Sequence, residues 1–351
     1  MNITEEKVLE ALQEVIYFKA GDNIVNLKMV HDLKIDGNKI SFSLVFPKKV
    51  DQSNEIVVNR AKKALKDALG EDLDIEIGIK SEKDIGGGPL ASIKNIIAVA
   101  SGKGGVGKST VAVNLAIALS KTGAKVGLLD ADIYGPSVPT MMDLESQRPN
   151  ATEKDGKTRI LPLDKYDLKV LSIGFFVDPE QALMWRGPMA SKALEQLFND
   201  TEWGDLDYLI LDMPPGTGDI HLTIAQEYPI TGAIIVTTPQ KVALADVLKA
   251  ATMFRQDKIY IPVLGLVENM SYFTPEELPD KKYYLFGKSY SESFAKRLNI
   301  PFLGQLPIVE GLAEASDAGK PAALLEDSIP GKAFKELAGN IKKGINALKS
   351  K

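Results

Sequence analysis

Residues 96–110 read IIAVASGKGGVGKST, and this stretch constrains the chain more than any other. Its opening apolar run, Ile96 to Ala100, has the character of a buried parallel strand. Glycines follow, and beyond Lys108-Ser109-Thr110 the residues Val111, Leu115, Ala118 and Leu119 recur at helical spacing. Gly102, Gly107, Lys108 and Ser109 match G-x-x-x-x-G-K-[ST], a pattern that counts when a strand precedes it and a helix follows. The residue types have a physical reason. Phosphate oxygens are wrapped by successive backbone N–H groups and a helix N-terminus, an approach that side chains would block. The candidate nucleotide-binding set is therefore Gly102, Lys103, Gly104, Gly105, Val106, Gly107, Lys108, Ser109 and Thr110. Lys108 is placed to reach the β- and γ-phosphates, and the Ser109 hydroxyl to hold Mg²⁺.

The remaining sequence sets the frame. With 351 residues, the chain has room for one large domain or two ordinary ones, and 44% hydrophobic with 25% charged residues is a globular balance. A net charge of −5 gives no global argument for nucleic acid or an anionic membrane, so neither is expected as a partner. No cysteine occurs, which excludes disulfides and protein-thiolate metal ligands from this chain. The first residues, MNITEEKVLE, lack an apolar signal core, and no run approaches membrane-spanning length. The expectation is a soluble, cytoplasmic protein.

Three regions are expected: a small α+β domain over 1–80, a Gly/Pro linker over 81–94, and a P-loop domain over 95–351. In the first, helical periodicity covers Thr4 to Phe18, and strands from Met29 to Ile35 and Lys39 to Phe46 flank Asp36-Gly37-Asn38, a hairpin signal. A helix from about Glu55 ends at Gly70, before strictly alternating Leu73, Ile75, Ile77 and Ile79. The linker carries Gly86-Gly87-Gly88-Pro89. Beyond it, apolar runs at Lys125–Asp130, Lys169–Ile173, Tyr208–Asp212, Gly232–Thr237, Pro262–Val267 and Phe302–Leu306 are separated by helical stretches. That alternation predicts an α/β fold, a mainly parallel sheet covered by helices on both faces. Ligands of such sheets bind at the carboxyl ends of the strands, where Asp130, Asp212, Pro239 and Asn269 fall.

Two of these ends suit phosphate chemistry. LLDADIYGPS carries Asp130 and Asp132, and YLILDMPPGTGD carries Asp212 followed by a proline-glycine loop. A strand ending in Asp, apart from a P-loop, is the arrangement that holds Mg²⁺, so Asp212 and Ser109 are the candidate metal residues. The loop after Asp212 could sense the γ-phosphate as a switch. The competing reading is that these aspartates cap the turns after them.

KGGVGKST, with its extra Lys103, resembles the deviant P-loop of ParA-, MinD- and nitrogenase-iron-protein-like ATPases. The resemblance implies a nucleotide-sandwich homodimer in which Lys103 crosses to the partner's nucleotide, as an arginine finger would. It also implies that Asp132 is the switch residue that positions water, with Asp130 supporting the Mg²⁺ shell or the strand end, and that Asn269 contacts adenine. Lys103, Lys108 and Asp132 are thus the candidate catalytic residues. The ordered set SGKGGVGKST, DADIYGPSVP, MWRGPM, DMPPGTGD, TTPQ and VENMSYF is similar to the Mrp/ApbC family of iron–sulfur cluster carriers. That resemblance implies Mg²⁺-dependent ATP hydrolysis, a [4Fe–4S] cluster, and iron–sulfur client or scaffold proteins as partners. It covers nearly the whole chain.

One departure matters. The family places a C-x-x-C pair shortly after the Asn-Met-Ser-Tyr-Phe stretch, and the segment here, TPEELPDKKYYLFG, has none. Histidines occur only at 31 and 221, the latter in the expected switch region, and Glu276, Glu277 and Asp280 could bind iron weakly, although a run of acids in a turn is usually just solvated. The cluster ligands implied by the resemblance are therefore absent, leaving a carrier that depends on another protein's thiols or an ATP-gated scaffold. A positioning or partition ATPase of the MinD/ParA kind is the alternative. The C-terminal stripe Phe334, Leu337, Ile341, Ile345 and Leu348, flanked by lysines, is expected to dock on the core rather than on a membrane.

Overall fold

The computed structural model describes residues 3–46, 52–81, 90–154, 157–176, 187–256, 259–275, 277–278 and 280–350. Most of the glycine linker, Met184 to Arg186 of the MWRGPM motif and Glu276 lie outside the described residues. The chain divides into two compact units, Met1–Ala91 and Ser92–Lys351.

The first unit runs α1 (Glu5–Leu12), β1 (Ile16–Tyr17), β2 (Asp22–Asn23), β3 (Val30–Asp36), β4 (Lys39–Phe46), α2 (Gln52–Leu69) and β5 (Asp74–Ser81). β4 is central, antiparallel to β3 and parallel to β5. Asp36 pairs with Lys39, leaving Gly37-Asn38 as a two-residue turn with Gly37 at φ +58°. Val8 and Leu12 of α1 share a core with Ala61 and Leu65 of α2 and with Ile40 and Leu44 of β4. The first helix is shorter than its periodicity predicts. It stops at Leu12, and Ile16-Tyr17 instead pairs with Asp22-Asn23 in a short hairpin. The β-branched and aromatic run Val15 to Phe18 favours extended backbone, and this local preference wins once Tyr17 can join the core.

The second unit runs β6 (Ile96–Ser101), α3 (Lys108–Ser120), β7 (Val126–Asp130), α4 (Val138–Met141), β8 (Asn150–Lys154), β9 (Lys157–Leu161), β10 (Leu163–Lys165), β11 (Leu168–Ser172), α5 (Gly187–Asn199), β12 (Tyr208–Asp212), α6 (Asp219–Glu227), β13 (Gly232–Thr237), α7 (Lys241–Phe254), β14 (Val263–Glu268), α8 (Ser291–Arg297), β15 (Phe302–Gln305), α9 (Leu312–Asp317) and α10 (Ile329–Lys349). Its eight-stranded sheet has the order β10-β11-β7-β12-β6-β13-β14-β15. Every neighbouring pair is parallel except the edge pair β10–β11. β6, β7 and β13 are buried at every position, as strands covered on both faces must be.

The topology locates the site. β6 connects through α3 leftward to β7, whereas β13 connects through α7 rightward to β14. Right-handed crossovers in opposite directions put α3 and α7 on opposite faces and open a crevice at the carboxyl ends of β6 and β13. α3 is buried all round from Val111 to Leu119 because α10 packs over it. The C-terminal stripe is spent on that packing: Phe334, Leu337, Ala338, Ile341 and Ile345 are buried against α3, β14 and β15. Among the described residues, no helix is long and apolar enough to cross a membrane.

Candidate nucleotide site

The loop between β6 and α3 has the backbone that its glycines permit. Gly107, the residue before α3, sits at φ +77°. A Cβ there would also strike the Asn269 amide, so two independent constraints require glycine. Gly102 is needed for a different reason: its α-carbon lies against the Asp246 backbone of α7, with no room for a Cβ. A Cβ on Gly104 would meet no described atom within 4 Å, so that side of the loop is free to receive a ligand. Val106 is buried, and its carbonyl accepts a 2.9 Å hydrogen bond from Asn269 Nδ2. Thr110 lies in the first turn of α3, where its carbonyl accepts from Asn114 Nδ2 at 2.8 Å.

Lys108 lies at the centre. Its ammonium is 2.6 Å from Asp212 Oδ1, 3.1 Å from Ser109 Oγ and 3.6 Å from Asp132 Oδ2. The lysine is 6% exposed and Asp212 fully buried. Burial pushes the Asp212 carboxyl up, and the Lys108 ammonium opposes that shift. Asp212 Oδ2 is buried with no hydrogen-bond partner among the described residues, an acceptor suited to a cation. Ser109 beside it supplies a second oxygen. This donor set fits Mg²⁺, which takes few protein ligands and completes its octahedron with phosphate and water oxygens.

Asp130 and Asp132 divide their work. Asp132 Oδ1 accepts from the Tyr134 N–H at 3.2 Å while its other oxygen faces Lys108. Asp130 is turned away from that ammonium's direct reach: it accepts from Asp132 N–H at 3.0 Å, Ser172 Oγ–H at 2.9 Å and Val138 N–H at 3.3 Å. Of the two expected places for Asp130, it holds the strand end, tying β7 to β11 and to the loop that carries Asp132. Burial, reinforced by the Asp212 charge, pushes the Asp130 carboxyl up to about 7. Ser172 escaped the sequence reading, although its place at the carboxyl end of a strand was a usable signal.

The remaining candidates lie nearby or not at all. Lys103 is half-buried in the loop, and the ion pairs of this region go to Lys108 instead. Asn269 braces the P-loop through its side chain and β13 through its N–H, which donates to Thr237 at 2.8 Å. Glu277 and Asp280 are exposed, and among the described residues no group of three or more His, Asp or Glu side chains could hold a metal ion. His31 is bonded locally to the Lys28 carbonyl.

Known proteins resemble this chain in sequence and fold. Residues 92–342 match the model of the NUBPL iron-transfer P-loop NTPase family. The chain belongs to that family. Residues 5–77 match a second model, that of iron–sulfur cluster assembly proteins. The iron–sulfur cluster carrier protein of Synechocystis sp. is 42% identical over 348 residues, 97% of this chain and 98% of that one. The carrier protein of Escherichia coli is 45% identical over 86% of this chain and 81% of its own. An Archaeoglobus fulgidus nucleotide-binding protein, solved in complex with ADP, superposes with a TM-score of 0.59 at 37% identity, covering 70% of this chain and 94% of that one. The Pyrococcus furiosus cell-division ATPase MinD, at 22% identity and a TM-score of 0.51, shares the fold. As a member of the NUBPL family, this chain carries the P-loop domain and the small assembly-protein domain, but no cysteine.

Proposed function

We propose that the chain is a Mg²⁺-dependent ATP hydrolase that works as a homodimer in iron–sulfur cluster carriage, with cluster thiolates supplied by a partner protein. The observation that carries the hydrolase reading is the convergence of Lys108, Ser109, Asp132 and Asp212 on one point at the carboxyl edge of the sheet. Phosphate and the carboxylates compete for the same ammonium. Nucleotide binding transfers Lys108 from Asp212 to the β- and γ-phosphates, and frees Asp212 for its cation role. The N–H groups of Gly104 to Lys108 hold the phosphates and Asp132 orients the attacking water; Ser109 and Asp212 would hold Mg²⁺, which would supply charge neutralisation for the phosphate oxygens. Lys103 acts on the nucleotide of the other subunit, which makes hydrolysis depend on dimerisation.

The cargo reading rests on the family and on the 42% identity to a named carrier. A cluster prefers thiolates, and two copies of a cysteine-free chain supply none. Transfer between partner thiols, gated by ATP-driven closure, is the role left to this chain. The test is sedimentation and phosphate release with Mg²⁺ and ATP, ADP or a non-hydrolysable analogue. ATP should give a dimer and turnover in the wild type, with Lys103→Ala binding nucleotide normally but monomeric and inactive. Turnover by Lys108→Ala equal to wild type would show that the activity comes from a contaminant.

A further inference from the structure

His221 is the buried titratable group near this site that the mechanism above does not use. It lies in the first turn of α6, is 2% exposed, and its Nε2 is 2.7 Å from the Pro214 carbonyl. A carbonyl only accepts, so Nε2 carries the hydrogen. Burial pushes the imidazole pKa down, which leaves the ring neutral and Nδ1 a bare acceptor. That Nδ1 is buried and has no partner among the described residues. Of the charged groups, the Lys108 ammonium pushes the imidazole further down and the Asp132 carboxylate opposes it.

The loop it touches, Met213 to Gly218, follows directly from Asp212. Met213 N–H donates to Val99 at 3.1 Å, and Gly216 N–H donates to Ser101 at 3.0 Å, so one side of the loop is tied to the end of β6. Gly216 sits at φ +94°, where the chain turns back towards α6. Pro214 has no N–H of its own to offer the sheet, and its carbonyl is a buried acceptor that needs a donor. His221 supplies that donor from the other side. The loop is thereby held between the root of the P-loop and the start of α6.

We propose that His221 is a positioning residue for nucleotide hydrolysis: its Nε2–H, bonded to Pro214, fixes the Met213–Gly218 loop against the P-loop so that the N–H groups of Thr217 and Gly218, which the bonds to Val99 and Ser101 do not use, face the terminal phosphate. The proposal rests on the hydrolase reading above. Its unusual feature is a side chain seven residues downstream doing what a backbone donor does elsewhere in a sheet. The held loop is what responds to the γ-phosphate, so the effect falls on turnover rather than on binding.

Two substitutions in the full chain separate this from a merely structural role. His221→Gln places an amide N–H where Nε2 stands, whereas His221→Phe fills the space without a donor. Expected is a kcat loss of about 10- to 100-fold for the Phe variant, in line with small misplacements of catalytic groups. Its KM for ATP and affinity for ADP should stay within about 3-fold of wild type, and Gln should recover most of the turnover. Amide exchange at Gly216 and Gly218 should quicken in the Phe variant and return towards wild type in the Gln variant. Equal turnover and equal loop exchange in the two variants would overturn the proposal. If the Phe variant does not fold, His221→Asn takes its place, since its shorter amide cannot reach Pro214. If wild type hydrolyses no ATP, the hydrolase reading fails, and loop exchange in the Mg²⁺–ADP complex alone decides whether His221 holds the loop.

Discussion

Lys108 Nζ and Asp212 Oδ1 lie 2.6 Å apart in a pair sealed from solvent, joining the first turn of α3 to the end of β12. The pair spans two strands of the sheet's centre and places the positive and the negative arms of the site in one contact. Lys108 keeps Ser109 and Asp132 as further neighbours, and Asp212 Oδ2 has no hydrogen-bond partner among the described residues.

Removing one member leaves the other buried and uncompensated. Lys108→Ala should destabilise the nucleotide-free protein by about 3 kcal/mol or more, the usual cost of breaking a buried pair. Urea unfolding measures it. Mg²⁺–ADP should raise the unfolding midpoint of wild type and leave that of the variant unchanged.

Asp130 gives a pH signature. Its carboxyl sits at about 7 in the folded chain against 3.8 when unperturbed, so the folded state keeps a proton that the unfolded chain releases first. The resulting stability is complete below the unfolded value and is lost as pH rises through about 7. Asp130→Asn removes this dependence. The stability difference, wild type minus variant, should fall by about 1.4 kcal/mol for each pH unit between the two values. Unfolding at a series of pH values checks it, and a difference that rises with pH contradicts the assignment.

The loop glycines should part company. Gly102→Ala forces a Cβ into the Asp246 backbone and should lower the melting temperature by several degrees. Gly104→Ala meets no described atom within 4 Å and should melt as wild type does, yet lose nucleotide affinity because its methyl group occupies phosphate space. Calorimetry with and without Mg²⁺–ADP reads both effects.

Asn269 separates two roles by specificity. As a brace on Val106, its replacement by Ala should weaken ATP and GTP equally, because the P-loop itself loosens. As an adenine contact, replacement should weaken ATP alone. The hydrogen bond to Val106 favours a shared loss of about tenfold, corresponding to one buried bond.

Much of this was legible in the sequence, for reasons that can be named. β12 and β13 run over the residues their apolar runs indicated, because a fully buried strand admits little besides aliphatic side chains. The P-loop was equally plain, since only glycine tolerates the positions of Gly102 and Gly107. The β8–β9 hairpin was hidden. Its residues Asn150 to Lys154 are exposed at every position, so no apolar alternation marks them. The pairing of Lys108 with Asp212 was hidden too, because it crosses 104 residues of sequence and depends on the strand order. The hydrogen bonds of Ser172 to Asp130 and of His221 to Pro214 were hidden as well, because position on a strand or helix does not name the partner and no spacing rule connects them.

On the proposed function, this chain moves iron–sulfur clusters under nucleotide control without ligating them through cysteine. Anaerobic incubation with iron and sulfide, followed by desalting and iron counting with and without Mg²⁺–ATP, is the decisive measurement. No retained iron and no charge-transfer absorbance are expected for the chain alone under either condition. Close to four irons per dimer, with that absorbance, would contradict the proposed function by showing a cluster held on non-cysteine ligands.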